Sequence, residues 1–128
     1  MLLEQENLSP IQDPSWADIE TAVSAIHPRT RSYFILTGSS GYVQAAGARL
    51  RLTIEYRDER RDPFSHYRLG SFPISDDEIS LNYSGGGISV RKSEVLTLDE
   101  CLKVFRHFFE TESIPSDFAM RELTATFR

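Results

Sequence analysis

The chain has 128 residues, of which 40% are hydrophobic and 26% charged, a balance that excludes an intrinsically disordered polymer and a bundle of membrane-spanning helices. With 14 Lys and Arg against 19 Asp and Glu, the net charge is −5; that disfavours direct binding of nucleic acid, because phosphate contacts need a basic face. The single cysteine, Cys101, excludes an internal disulfide framework and a multi-thiolate zinc site.

The length fits one domain over residues 1–128. The opening MLLEQENLSP is acidic and lacks the apolar core of a secretory signal, so the expected compartment is the cytoplasm. Residues 1–12 show no clear period and are expected to form a loose arm pinned by Leu8 and Ile11. In DPSWADIETAVSAIHP, Asp13 is the expected N-cap with Pro14 at the first helical position. Trp16, Ile19, Val23 and Ile26 then mark one buried stripe of a helix that stops before Pro28.

From Arg31 the period shortens to that of strands. RSYFILTG, GYVQAAG and ARLRLTIEYRDE are separated by GSSG and GA, which reads as antiparallel neighbours joined by turns. In the third segment Leu50, Leu52, Ile54 and Tyr56 alternate with Arg51, Thr53, Glu55 and Arg57, predicting one packed face and one solvated face. After the charged turn DERRDP, the segments HYRL, EISLNYS and GISVRKS extend the meander to five or six strands. Residues 42–46 (YVQAA) are a candidate edge strand, open to pairing with a second copy or with a partner.

TLDECLKVFRHFFETESIP closes the pattern. Thr97 and Glu100 form a capping box, Leu96 and Cys101 a hydrophobic staple. Leu98, Cys101, Leu102, Phe105, Phe108 and Phe109 form a wide apolar stripe opposite Asp99, Lys103, Arg106 and Glu110, as expected of a helix lying on a sheet. Residues 117–123 read as extended. The expected fold is α+β: an antiparallel sheet of about five or six strands packed against two amphipathic helices.

The search for chemistry finds no zinc-hydrolase or deaminase spacing, no nucleophile elbow, no P-loop and no dinucleotide fingerprint. His27, His66 and His107 are scattered, and Cys101 lies on an apolar helix face, where a thiol packs rather than reacts. No catalytic, cofactor-binding or metal-ligating residues are assigned, and the chain reads as non-catalytic. Two acidic clusters remain, Asp58 with Glu59 in an arginine-rich turn and the run Asp76, Asp77, Glu78. They are either solvated loops or an electrostatic surface for a cationic partner.

The segment EVLTLDECLKVFRHFFETESIPSDFAMREL resembles the C-terminal signature of the immunity-protein-1 family of bacterial polymorphic toxin systems. That signature is a helix with paired phenylalanines (Phe105, Phe108, Phe109), a Thr-x-x-x-Pro hinge (Thr111, Pro115) and a closing aromatic-x-Glu-Leu, here Met120, Glu122 and Leu123. DPSWADIETAV and GYVQAAG are also compatible with the family. Met120 departs from it, standing where relatives carry tryptophan, and serves either to fill the core or to touch a toxin differently. The resemblance implies an antitoxin that binds a cognate toxin C-terminal domain, often a nucleic-acid deaminase with a basic cleft, and occludes its substrate site or clamps an adjacent surface. It turns Asp58, Glu59, Asp76, Asp77, Glu78, Tyr83 and the glycine loop Gly85, Gly86, Gly87 into candidate partner contacts. The alternative is a generic non-catalytic adaptor or interaction module.

Overall fold

The computed structural model describes residues 1–127. In chain order the elements are β1 (Leu2–Gln5), β2 (Ile11–Gln12), α1 (Trp16–Ser24), β3 (Tyr33–Thr37), β4 (Gly41–Ala48), β5 (Arg51–Asp58), β6 (Ser65–Gly70), β7 (Glu78–Tyr83), β8 (Gly86–Arg91), a 3-10 turn Lys92–Glu94, α2 (Leu98–Thr111), β9 (Ala119–Glu122) and a second 3-10 turn Thr124–Phe127. The fold is α+β: a seven-stranded antiparallel sheet ordered β2-β1-β3-β4-β5-β6-β9, with both helices on one face and a separate β7–β8 ribbon.

Register explains why the helices lie where they do. Leu3 stands opposite Leu36, Leu36 opposite Val43 and Val43 opposite Tyr56, so a row of apolar side chains crosses four strands on one face. Phe34, Ala45 and Ile54 form a parallel row in the next register. Onto this surface α2 lays Cys101, Val104, Phe105 and Phe108, all fully buried. Phe105 meets Phe34 edge-on with centroids 5.0 Å apart, and Phe108 meets Tyr56 at 6.3 Å, the geometry aromatic quadrupoles favour. The second helix, α1, packs on α2, with Trp16 6.1 Å from Phe109.

The expected capping box and staple of α2 are present: Thr97 Oγ1 accepts from the Glu100 N–H at 3.2 Å, the Thr97 N–H donates to the Glu100 carboxylate at 3.0 Å, and Leu96 and Cys101 are both buried. Thr97→Ala is expected to lower stability by about 1 kcal/mol, measurable as a shifted urea midpoint at unchanged slope. The helix ends at Thr111, where Glu112 takes a left-handed conformation with φ 55°. From there its carboxylate accepts from the Ser40 N–H at 2.9 Å and from the Ser39 and Ser40 hydroxyls, clamping the β3–β4 turn.

Several expectations need correction. Residues 1–12 are not a loose arm: β1 is an interior strand, Leu3 is in the core, and Leu8 is exposed rather than a pin. Pairing with β3 orders a segment that has no period of its own. The α1 N-cap is Ser15, which closes a capping box with Asp18, and the helix begins at Trp16. Asp13 instead adopts φ 52°, turning the chain out of β2, so it cannot cap. Residues 42–46 are not an edge, because β4 is paired on both sides; the edges are β2 and β9.

The strand count of five or six is also short, and β7–β8 does not continue the meander. The ribbon packs across the other sheet face, where it buries Leu81 and Val90 outside the main core cluster. That face is therefore not simply solvated: Thr53 and Ala46 are buried on it. No helix among the described residues is long and apolar enough to cross a membrane.

Candidate functional site

The residues singled out in the sequence fall in three places. Asp58 and Glu59 stand at the end of β5, where the backbone turns toward β6. Asp58 is not a free charge: its carboxylate takes the Arg60 guanidinium at 2.9 and 3.0 Å together with the Arg60 N–H, and the Arg60 side-chain bond holds its pKa below the usual carboxylate value. Glu59 is exposed, without an ion-pair partner among the described residues.

Asp76, Asp77 and Glu78 form the base of the β7–β8 ribbon. Asp76 is 87% exposed and lies 3.4 Å from Arg91. The Asp77 carbonyl accepts from the Lys92 N–H at 2.6 Å, so the backbone of this run is fixed. The Asp77 and Glu78 carboxylates are exposed and have no ion-pair partner among the described residues.

Tyr83, Gly85, Gly86 and Gly87 sit at the other end of the ribbon. Tyr83 pairs with Gly86 across a two-residue turn, and Gly86 takes φ +118°, a conformation that an L side chain rarely adopts. The tip is tied down, because the Ser84 N–H donates to the Ser32 hydroxyl at 3.1 Å and the Ser84 hydroxyl bonds the Glu6 carboxylate. Base and tip are separated by the six residues of β7, about 17 Å at strand rise. The structure therefore does not gather the candidates into one patch.

A second feature was not legible in the sequence. Beside β9, the segment 71–75 and the first 3-10 turn enclose an open groove of about 540 Å³, within the range of small-ligand and side-chain sites. Phe72 and Ile74 are each 60% exposed on its wall, and Met120 is 44% exposed. Met120 therefore does not anchor the tail in the core, although its cross-strand partner Leu69 is fully buried. The only sequence signal for this wall was SFPIS, two large apolar residues around a proline in a segment too short for a strand.

Behind the groove lie buried charges. Glu94 is 3% exposed, and its carboxylate takes both Arg121 nitrogens at 2.7 Å and the Arg91 N–H at 2.9 Å. Burial by itself would raise its pKa; the Arg121 and Arg91 hydrogen bonds outweigh that, and the net shift is downward. Glu55 follows the same logic, desolvation being outweighed by bonds from His66 and Arg68. His66 Nδ1 accepts from Arg57 Nε at 3.1 Å, so its proton sits on Nε2, 2.5 Å from Glu55. The Arg57 guanidinium stacks on Phe64 and Phe127 at 4.0 and 4.8 Å from the ring centroids. These groups hold the C-terminal turn, and His66, 1% exposed, faces no open site.

Cys101 is buried, which raises its thiol pKa and leaves it unreactive. Among the described residues no three His, Cys, Asp or Glu side chains gather as a metal site would require. No protein-family model matches the chain, and no curated protein matches it.

Proposed function

We propose that the protein is a stoichiometric, non-catalytic antitoxin that binds and neutralises a cognate toxin C-terminal domain in the bacterial cytoplasm. The observation that carries this reading is the ribbon base: three consecutive exposed carboxylates, two without an ion-pair partner among the described residues, on a backbone held rigid by the Lys92–Asp77 bond. Uncompensated charge on an anchored backbone attracts a basic cleft at a reduced ordering cost, since only the side chains have still to be fixed. The resemblance of residues 94–123 to the immunity-protein-1 signature supports the same reading and supplies the partner class, a toxin domain with a basic substrate cleft, often a nucleic-acid deaminase. Inhibition follows from occluding that cleft, or from clamping a neighbouring surface, across an interface of about 1,200–2,000 Å² in total.

Asp58 contributes less to this surface than its position in the sequence suggests, since Arg60 neutralises it. The tip residues Tyr83 to Gly87 stand about 17 Å from the base, at the rim of a standard-size contact centred on Asp77.

The test is co-expression with the C-terminal domain encoded immediately upstream, scoring growth rescue and recovery of a 1:1 complex. With the complex in hand, Asp76→Lys together with Asp77→Lys should slow association by about tenfold at low salt and flatten its salt dependence. A toxic domain that is neither bound nor neutralised would sink the antitoxin reading, and unchanged kinetics would remove the ribbon base from the interface. The exposed apolar wall at Phe72 and Ile74 favours a second reading, a general interaction module. That reading takes precedence if rescue fails while other proteins bind.

A further inference from the structure

The β7–β8 ribbon is fastened to the rest of the molecule at its two ends and hardly at all between them. At the base, the Ser71 N–H donates to the Ser93 carbonyl at 2.8 Å and the Ser75 N–H to the Ser93 hydroxyl at 3.1 Å. Glu94, in the turn that follows β8, is gripped by Arg121 of β9, so this end is fixed to the sheet. At the tip three segments meet. The Glu6 carboxylate, just after β1, accepts from the Ser32 N–H at 2.8 Å and from the Ser32 hydroxyl at 2.9 Å, and it also takes the Ser84 hydroxyl. The Ser84 N–H closes the cluster on Ser32 Oγ at 3.1 Å. Between the two ends, the one hydrogen bond from ribbon to sheet among the described residues runs from Arg68 Nη1 to the Ser89 carbonyl, at 3.3 Å.

The seat beneath the ribbon is loosely made. Only Leu81 and Val90 of the ribbon are buried, and both stand outside the main core cluster. A gap of about 210 Å³ opens between Ser80, Leu81 and Asn82 on the ribbon and Pro28, Ala48 and Arg51 below it. Two buried polar atoms, Thr53 Oγ1 and Arg68 Nε, have no hydrogen-bond partner among the described residues. Both belong to the covered sheet face: Arg68 bonds Ser89, Glu55 stands opposite Arg68, and Thr53 shares the face of Glu55 two residues away. A polar atom buried without a partner favours any state that lets water reach it.

We infer that the ribbon is a strap, hinged at its acidic base and latched at its tip by Ser84, that opens as one unit and uncovers Thr53, Glu55 and Arg68. The latch and two apolar side chains hold it shut, and the two unpaired polar atoms oppose them. Units with so few buried apolar contacts open well before the whole domain unfolds. A two-stranded ribbon is marginal by itself, so once lifted it loses its own ladder and its amides exchange with water. The strap requires no toxin. Where the antitoxin reading holds, on which this consequence rests, the base acids sit at the pivot and are presented in both states. A partner that reaches Tyr83 and the glycine loop instead selects the latched state and stabilises it.

Amide hydrogen exchange of the full chain, read residue by residue by NMR, tests the strap in the absence of any partner. Amides bonded across β7–β8 should exchange together, at least about a hundredfold faster than those of Val43 and Tyr56 in the interior strands. Their urea dependence should be smaller, because opening exposes less surface than unfolding. Ser84→Ala removes a hydrogen bond to a carboxylate and should speed ribbon exchange by about tenfold. Ser32→Cys with Ser84→Cys sets two thiols where the hydroxyl oxygens lie 2.8 Å apart, and the buried Cys101 does not compete. Once oxidised, that pair should slow ribbon exchange to the rate of the interior strands, and a reductant should restore it. The inference is overturned if the ribbon amides are already as slow as Val43 and Tyr56, if they exchange one by one at unrelated rates, or if Ser84→Ala leaves them unchanged.

Discussion

Phe105→Ala is expected to lower the free energy of unfolding by about 3–5 kcal/mol, the cost of truncating a fully buried aromatic ring and leaving a cavity behind it. Phe105 is 0% exposed and stands edge-on to Phe34, itself in the central row of the sheet. The loss is felt at the junction of the helix and sheet layers. Against a total stability of roughly 5–15 kcal/mol for a domain of this size, the variant sits near the threshold of unfolding at physiological temperature. Urea unfolding measures it directly. A loss below about 1 kcal/mol would mean that the core repacks and that α2 is not the element joining the two layers.

The second large effect is electrostatic and changes with pH. Arg121→Ala removes the guanidinium that neutralises Glu94, leaving a carboxylate of 3% exposure with only the Arg91 N–H. Stripping one partner from a buried pair costs about 3–5 kcal/mol; because Arg121 is itself 31% exposed and water reaches that side, about 2–3 kcal/mol at pH 7 is expected. The pH dependence follows from the direction of the shift. The folded-state pKa of Glu94 is lowered, so its contribution is fully present above the unfolded value of about 4.3 and is lost as pH falls through that value toward the lowered one. Removing Arg121 takes away the main lowering influence and leaves the burial that raises the pKa. The stability gap between the parent and Arg121→Ala should therefore be widest near neutrality and narrow below about pH 5. Glu94→Gln in the Arg121→Ala background should recover much of the loss at pH 7. A gap that is constant with pH would show that Arg121 acts by packing its stem and not by its charge.

Much of the architecture was written locally. Helix α2 could be read to within a few residues because its signals lie within four positions of one another: Thr97 with Glu100, Leu96 with Cys101, and the phenylalanines at helical spacing. Strands β3, β4 and β5 were legible from their two-residue alternation, but only GSSG marks a turn: Gly47 and Ala48 pair within β4, and the second turn falls at Arg49 and Leu50, which leaves Leu50 87% exposed rather than on the packed face. The extended reading of residues 117–123 also agrees with β9. Asp77 and Glu78 could be chosen as exposed charges, since nothing nearby in the sequence offers a partner, and among the described residues none is found in space.

The remainder depended on residues distant in the chain. β1 has no period of its own and is a strand because β3 supplies its ladder more than thirty positions later, Leu2 standing opposite Thr37. The alternation of EISLNYS and GISVRKS specifies strands but not which sheet they join; the contacts of Ser84 with Ser32 and Glu6 place the ribbon across the second face. A buried glutamate is invisible to patterning because its cost is met by Arg121, 27 residues away. Phe72, Ile74 and Met120 likewise became a wall only once β9 had come to lie against β6. Periodicity, capping and turn chemistry are short-range, so the sequence by itself determined the class of fold, the two helices and the exposed acidic run Asp76 to Glu78, but not the neutralised state of Asp58. Strand order, buried charge pairs and the groove depend on which distant segments share a ladder, and only the tertiary structure decided them.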